Sequence, residues 1–193
     1  MTFSDGSRLG LYRQTIQDFG LYAGLELTDE EMDRLMNAAG QMSAKMRSVR
    51  IVSASSVSRR DLESRLVRKG EDPEHAKQAV AWMEEMHLVD DRNTAEQVVH
   101  SCISKGYGLA RAKQALYEKR IPKAYWEEAL ADYPDQLDKI LSFLRTRLDG
   151  ESDQRDVKRA VDALIRRGHS YAHIREALAQ LSLETEDFLE ESF

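Results

Sequence analysis

Apolar residues recur along this chain at the spacing of α-helices, and one pattern of apolar and basic positions occurs three times. Residues 66–80, 116–130 and 164–178 align without a gap, at periods of 50 and then 48 residues. Each copy starts on a leucine that has another apolar residue four positions before it, and each closes on an alanine followed by valine or leucine. Because residues four apart lie on one face of a helix, each copy predicts the end of one amphipathic helix and most of a second.

A short break separates the two predicted helices of each copy. Gly70, Arg120 and Gly168 interrupt the pattern at this break. Each second helix is predicted to begin at a residue whose side-chain oxygen can accept a hydrogen bond from a free backbone amide, or at a proline, which has no amide hydrogen that would need a partner. The residues concerned are Asp72-Pro73, Pro122 and Ser170.

The repeat predicts an all-α protein built as a tandem array. A unit of about 50 residues buries too little apolar surface alone, so it is stabilised by stacking on its neighbours. We predict three three-helix units behind an N-terminal helical extension. The extension is placed at residues 1–54, and the units at residues 55–106, 107–150 and 151–193, the last with an acidic tail.

The N-terminal extension carries a long amphipathic helix. Thr28 and Glu31 have the spacing of a capping box, and apolar residues follow at alternating steps of three and four from Met32 to Val49. This pattern predicts a helix from Thr28 to about Val52, with a methionine-rich stripe that packs on its own chain or adapts to a partner. Before it, "SDGSRLGLY" has the turn signal and alternation of a short strand pair.

Composition agrees with a helical globular protein. Of the 193 residues, 41% are hydrophobic and 32% charged, with only 3 prolines. The sequence has no apolar stretch of membrane-spanning length. Its first ten residues lack the basic and apolar segments of a secretion signal. The single cysteine, Cys102, cannot form an internal disulfide, which suits a reducing compartment. We therefore expect a cytoplasmic protein without membrane contact, and we expect a monomer.

The net charge of −6 is unevenly distributed. Eight basic and two acidic residues lie between Lys45 and Lys69, which gives this segment a charge of +6 and leaves −12 on the rest of the chain. Such asymmetry favours an electrostatically selective surface, and the alternative is a solvated helix face.

The sequence offers no catalytic or metal-binding constellation. A glycine-rich phosphate loop with Lys-Ser/Thr is not found, and Gly106-Tyr107-Gly108 is more simply a turn between helices. His169 and His173 are four residues apart, but no acidic or thiolate partner stands in register, which favours packing over a metal site. Trp126 occupies a repeat position that predicts an interior side chain. We predict a binding protein that is not an enzyme and has no metal or cofactor.

Three segments carry patterns that occur together in one family. "SVSRRDLESRLVRKG" has a serine and an acidic-leucine pair before a helix that ends on leucine, basic residues and glycine. Val89 to Glu96 follows an aliphatic-Asp and Ala-Glu pattern, and "KGYGLARAKQALYEKRI" follows a Lys-Gly-x-Gly-Pro-x-Arg pattern. Over about residues 55–180, the chain thereby resembles RecX, a bacterial family that regulates the recombinase RecA.

The chain departs from the family pattern at three positions. Leu109 replaces a proline, Thr94 replaces an aromatic residue and Arg120 replaces a glycine. None of these changes threatens the fold. Arg120 affects the local turn, because a non-glycine residue there needs a left-handed conformation that costs about 1 kcal/mol, or another way to end the helix.

The resemblance implies a regulator, mainly an inhibitor, of RecA in homologous recombination, DNA repair and the SOS response. It implies binding in the groove of the RecA filament on single-stranded DNA, with suppression of ATP hydrolysis and strand exchange. An elongated array suits a repeating partner, because weak contacts at matched spacing add up. The candidate contacts are charged ends of repeat helices: Arg59, Arg60, Arg65, Arg68, Lys69, Lys119, Arg120, Arg166 and Arg167.

Two other functions are compatible with the same pattern. Helix-turn-helix units with basic ends also suit a direct DNA-binding protein, including weak DNA contact beside RecA. The overall acidity argues against DNA binding as the main role, because DNA affinity depends on neutralising phosphates. The third possibility is a helical scaffold for an unrelated protein partner.

Overall fold

A computed structural model describes residues 1–148 and 152–181 of the chain, and the acidic tail predicted from residue 184 onward lies outside these residues. The prediction of an all-α fold is confirmed. The described residues form α1 (Arg13–Asp18), α2 (Asp29–Ala54), α3 (Arg59–Arg68), α4 (Pro73–Glu85), α5 (Asp91–Ser104), α6 (Leu109–Glu118), a 3-10 turn (Lys123–Tyr125), α7 (Trp126–Leu130), α8 (Leu137–Arg145), α9 (Gln154–Arg166) and α10 (Tyr171–Gln180).

The N-terminal segment contains an isolated antiparallel bridge between Thr2 and Arg8, and no longer strand pair forms within residues 1–148 and 152–181. In the same residues, no helix is long and apolar enough to cross a membrane. The chain divides into two compact units, unit 1 up to Asp91 and unit 2 from Arg92 onward.

Unit 1 is organised by the long helix α2. Thr28 Oγ1 accepts a hydrogen bond from the Glu31 amide at 3.3 Å, and Glu31 Oε2 accepts one from the Thr28 amide at 2.9 Å, so the predicted capping box is confirmed. α2 packs on α4 and α3. At Gly40 an added Cβ would lie 2.5 Å from the ring of His75, so the two helices approach closely there because glycine leaves room.

The core of unit 1 consists of apolar residues from α2, α3, α4 and the turn before α5. Leu62, Leu66, Ala76 and Met83 are fully buried within it, which agrees with the helix faces predicted from the repeat. The three methionines of the α2 stripe, Met32, Met42 and Met46, are half-buried, whereas Leu35 of the same stripe is fully buried. The methionines therefore lie at the margin of the packing.

Unit 2 has two apolar cores. One joins α5, α6 and α7, with Leu116 fully buried and with Tyr125 and Trp126 packed against its side, as predicted for the repeat interior. The other joins α8, α9 and α10 around Ile140 and Leu164. α8, which the sequence analysis assigned to residues 107–150, thus packs with the two helices that follow it. The predicted boundaries at residues 54, 106 and 150 stay a prediction, and residues 149–151 lie outside the described chain.

The three predicted helix breaks adopt one backbone arrangement. Gly70, Arg120 and Gly168 have φ values of 90°, 55° and 83°, in the left-handed region. The amide that follows each of them donates to the carbonyl of the repeat leucine five residues earlier, at 3.1, 3.1 and 3.2 Å. These bonds are those of a Schellman motif, which satisfies carbonyls at a helix end. The repeated pattern in the sequence is therefore a repeated helix stop.

The second copy begins its second helix differently from the prediction. Pro122 is followed by the 3-10 turn, and α-helix begins only at Trp126. Trp126 stands where the other copies have Ala76 and Ile174, and its indole Nε1 donates to the Ile121 carbonyl at 3.0 Å. The indole of Trp126 is larger than the side chains of Ala76 and Ile174 and packs beside the 3-10 turn. The second copy therefore has the same order of helices as the other two, but its second α-helix is shorter.

Arg120→Gly is expected to stabilise the protein by about 0.5–1 kcal/mol. Glycine relieves about 1–2 kcal/mol of left-handed strain, which outweighs its larger entropy in the unfolded chain. Arg120 is exposed, so the change removes no core packing. Urea unfolding followed by circular dichroism measures the difference. Lys119→Gly is the control for added flexibility, because Lys119 has φ −78° and its change to glycine relieves no left-handed strain. An equal effect of both changes would contradict the prediction.

Candidate partner-binding surfaces

Three arginines of the basic segment of unit 1 are paired with carboxylates, two of them with carboxylates distant in sequence. Arg47 Nε lies 2.5 Å from the Glu71 carboxylate, which is buried and also accepts a hydrogen bond from Ser43 Oγ at 3.0 Å. Arg65 pairs with Asp61 at 2.8 Å. Asp61 is already counted in the local charge of +6, so in these pairs the added compensation comes from Glu71, which lies in the turn between α3 and α4.

Arg59 is held in a clamp at the start of α3. Its backbone amide donates to Asp91 Oδ1 at 2.8 Å and its Nε to Asp91 Oδ2 at 3.1 Å, while Nη1 contacts Glu84 at 2.7 Å. Asp91 is only 3% exposed. A buried carboxylate needs such partners to offset its lost hydration. Arg59 thus has a structural role in joining α3 to the start of α5.

The remaining basic side chains of α3 form an exposed face. Arg60 and Arg68 are eight positions apart on the helix, so they project from the same side about two turns apart, and Lys69 follows at the helix end. Within the described residues, none of these three side chains has an ion pair. We call Arg60, Arg68 and Lys69 the α3 basic face. It is the part of the predicted cluster that is available for a partner.

Unit 2 contains a cavity lined mainly by arginine and aromatic side chains. Its volume is about 340 Å³. We call it the arginine cavity, and its lining residues are Tyr107, Arg111, Phe143, Arg147, Ala163, Arg166 and Arg167. The guanidinium carbons of Arg147 and Arg167 lie 4.9 and 4.6 Å from the centre of the Phe143 ring. These cation–π contacts fix both side chains at the edge of the cavity.

A smaller cavity of about 210 Å³ shares Phe143 and Arg167 with the first. Its other lining residues include Lys105, Lys139 and His169. None of the described residues that line the two cavities is a carboxylate. The two cavities thus form one region lined by basic residues, whereas Arg47, Arg59 and Arg65 of unit 1 are paired with carboxylates.

Two glycines hold the turn before α6 against the end of α9, which positions the arginine cavity. The Gly108 amide donates to the Arg167 carbonyl at 2.9 Å, and the Ala110 amide to the Gly168 carbonyl at 3.3 Å. A Cβ added at Gly108 would lie 2.0 Å from the Gly168 oxygen, and one at Gly168 would lie 2.2 Å from the Arg111 amide nitrogen. The two backbones can meet only because both residues lack a side chain.

A histidine and a tyrosine reinforce this glycine contact. His169 Nε2 lies 3.0 Å from the Gly106 carbonyl oxygen and therefore donates to it. Burial lowers the pKa of His169, so the neutral ring is favoured. The Tyr133 hydroxyl donates to the Tyr107 carbonyl at 2.6 Å, and burial raises the pKa of Tyr133 to about 12. Both polar groups stay neutral, which suits a buried hydrogen-bonded junction.

The structure distributes the nine predicted contact residues over different environments. Arg59 and Arg65 are ion-paired, while the α3 basic face is exposed. Lys119 is half-buried beside Arg120, which sits at the left-handed helix stop. Arg166 and Arg167 lie in the arginine cavity. Their role in partner binding stays a prediction.

Five residues of the arginine cavity were not predicted from the sequence, namely Ala163 and four residues that precede α9. Tyr107, Arg111, Phe143 and Arg147 are spread over 41 positions, and only folding brings them together with the end of α9. Arg111 was the detectable one, since it is the arginine of the Lys-Gly-x-Gly-Pro-x-Arg pattern. Of the two histidines weighed for metal binding, His169 is used in the junction and His173 is exposed, and no metal-binding group of three or more ligands occurs in the described part of the chain.

Comparisons with known proteins agree on a single family. The model of the second three-helix domain of RecX matches residues 90–130. The regulatory protein RecX of Streptococcus gordonii is 25% identical over 188 residues, which cover 95% of this chain and 73% of that protein. The regulatory protein RecX of Chlorobaculum tepidum is 31% identical over 148 residues, or 74% of this chain and 91% of that protein.

A solved structure shows the same fold. The crystal structure of RecX from Lactobacillus salivarius superposes with a TM-score of 0.64 at 20% sequence identity. The match covers 75% of this chain and 98% of that chain. This chain thus resembles RecX proteins in its fold as well as in its sequence.

Proposed function

This chain belongs to the RecX family of regulatory proteins, and from that premise we propose that it inhibits RecA by binding the RecA filament on single-stranded DNA. Family membership is the observation that carries the proposal. In this function the protein acts without catalysis of its own, as a cytoplasmic monomer. It lowers ATP hydrolysis and strand exchange by occupying the filament.

The distribution of exposed charge supports binding to an extended partner. Unit 1 presents the α3 basic face, and unit 2 presents Arg166 near the end of α9. Contacts of modest strength on separate units combine when their spacing matches a repeating partner. Complementary charge also raises the rate of encounter and excludes wrong partners.

We expect the purified protein to lower phosphate release by RecA on single-stranded DNA at sub-stoichiometric to equimolar amounts. Reversing the α3 basic face with Arg60→Glu, Arg68→Glu and Lys69→Glu is expected to weaken filament binding by about tenfold or more, because complementary charges become repulsive. The fold should persist, since exposed charges contribute little to stability. Titration onto preformed filaments and ATPase assays measure the two effects.

The matched control reverses three other exposed cations of unit 1, Arg8, Arg13 and Lys77. It changes the net charge equally and should leave binding within about threefold, or roughly 0.7 kcal/mol. If both triple variants lost filament affinity equally, the loss would be due to the change in net charge and not to the α3 basic face. Unchanged RecA turnover with the wild-type protein would contradict the proposed regulation.

Binding assays at two salt concentrations separate this function from the two alternatives. The protein is titrated onto bare single-stranded DNA, onto RecA alone and onto the assembled filament. A RecA regulator binds the filament most tightly. Equal binding to bare DNA, with a steep loss at high salt, would instead identify a direct DNA-binding protein. Failure to bind any of the three would leave the scaffold hypothesis.

A further inference from the structure

The arginine cavity concentrates positive charge that the described residues do not neutralise. Arg111 pairs with Glu118 at 2.9 Å. The guanidinium groups of Arg147, Arg166 and Arg167 have no ion pair or hydrogen bond with the described residues, and no carboxylate lines the cavity. Like charges close together repel one another, so an anion in the cavity would offset this repulsion.

The chemistry of the lining selects the kind of anion. Guanidinium groups bind phosphate oxygens with paired hydrogen bonds, and several of them around one cavity suit an anion that carries several charges within a few ångströms. A peptide carboxylate carries only one charge. The lining therefore fits a polyphosphate better than an acidic side chain.

The aromatic side chains supply a second element of recognition. Phe143 is already covered by the guanidinium groups of Arg147 and Arg167. Tyr107 lines the same cavity and is half-buried, which leaves its ring as the surface on which a base can stack. The volume of about 340 Å³ falls within the range of small-molecule sites.

We propose that the arginine cavity is a binding site for a free nucleoside triphosphate, with Arg147, Arg166 and Arg167 on the phosphates and Tyr107 beside the base. A nucleic-acid strand is the alternative occupant, and its phosphates would extend beyond the cavity towards Lys105 and Lys139. The described residues that line the cavity include no carboxylate to act as a general base or to hold a divalent cation, so we expect binding without hydrolysis. This proposal goes beyond RecA binding and does not depend on it.

Calorimetric titration of the full chain with ATP tests the proposal, with inorganic tripolyphosphate and a short oligothymidylate as the other ligands. ATP is expected to bind, with tripolyphosphate weaker because it lacks a base. Arg147→Gln and Arg166→Gln are each expected to weaken ATP binding by at least about tenfold, as for the loss of a charged hydrogen bond. Both side chains are exposed, so circular dichroism should show an unchanged fold.

Arg145→Gln and Arg155→Gln are the matched controls. Arg145 is the last residue of α8, two positions before Arg147, and Arg155 lies on α9 with Arg166. Both control residues are exposed, and neither lines the cavity. Each should change ATP affinity by less than about twofold. The proposal is wrong if ATP does not bind, if all four variants lose affinity equally, or if only the oligothymidylate binds. The last outcome would assign the cavity to nucleic acid.

Discussion

Gly168→Ala is expected to destabilise unit 2 by more than about 4 kcal/mol, enough to unfold a unit of ordinary stability. The residue has φ +83°, which costs alanine about 1–2 kcal/mol. Its new Cβ would also lie 2.2 Å from the Arg111 amide nitrogen, and a backbone atom cannot rotate away. The start of α6 must then move from the end of α9, which breaks the hydrogen bonds of Gly108 and Ala110 described above.

Gly70→Ala is the matched control for this prediction. Gly70 occupies the equivalent helix stop in unit 1 with φ +90°, but an added Cβ there meets no atom within 4 Å. The control thus contains the backbone strain without the clash and should cost about 1–2 kcal/mol. Gly108→Ala provides a second test, because Gly108 has φ −76° and its whole cost comes from the contact.

Intrinsic fluorescence can assign the loss to one unit. The chain has two tryptophans, Trp82 in the core of unit 1 and Trp126 in unit 2. In a Trp82→Phe background, urea unfolding followed by fluorescence reports on unit 2 alone. A cost for Gly168→Ala no greater than that for Gly70→Ala would show that the two backbones do not meet as described.

Arg59→Glu is expected to destabilise unit 1 by at least about 3 kcal/mol. The change removes the guanidinium that pairs with the buried Asp91 and places a second carboxylate beside it and Glu84. An uncompensated buried charge is costly, whereas the same change at an exposed position is nearly neutral. Urea unfolding in a Trp126→Phe background measures the effect on unit 1.

Arg60→Glu is the control, and it should change the stability of unit 1 by less than about 0.5 kcal/mol. Arg60 is the next residue on α3 and carries the same charge, but it is exposed. Similar costs at both positions would contradict the clamp. The comparison also bears on binding experiments, because a variant that reverses Arg59 would lose function through unfolding and could not identify a partner contact.

Most of the fold could be predicted from the sequence. The spacing of Leu66, Leu116 and Leu164 predicted three buried leucines, and all three are at most 1% exposed. The capping box at Thr28 and the helix stops at Gly70, Arg120 and Gly168 were also predicted correctly. Each of these features depends on residues within one or two helical turns, so the local sequence carries the whole signal.

The candidate sites were much less predictable. The sequence placed the main basic surface between Lys45 and Lys69, but Glu71, Glu84 and Asp91 compensate part of its charge. The arginine cavity gave no continuous signal, because its arginines lie on two helices, α6 and α9, and in the turns after α8 and α9. A count of charges along the chain cannot show which of them meet in space.

The sequence by itself thus determined the helices, where they stop and the family to which the chain belongs. The tertiary structure alone decided which arginines are neutralised, that α8 packs with α9 and α10, and that Gly108 and Gly168 bring two backbones into contact. The physical reason is range: periodicity, caps and left-handed stops act between near neighbours in the chain, whereas ion pairing and close packing depend on distances that only the folded backbone sets.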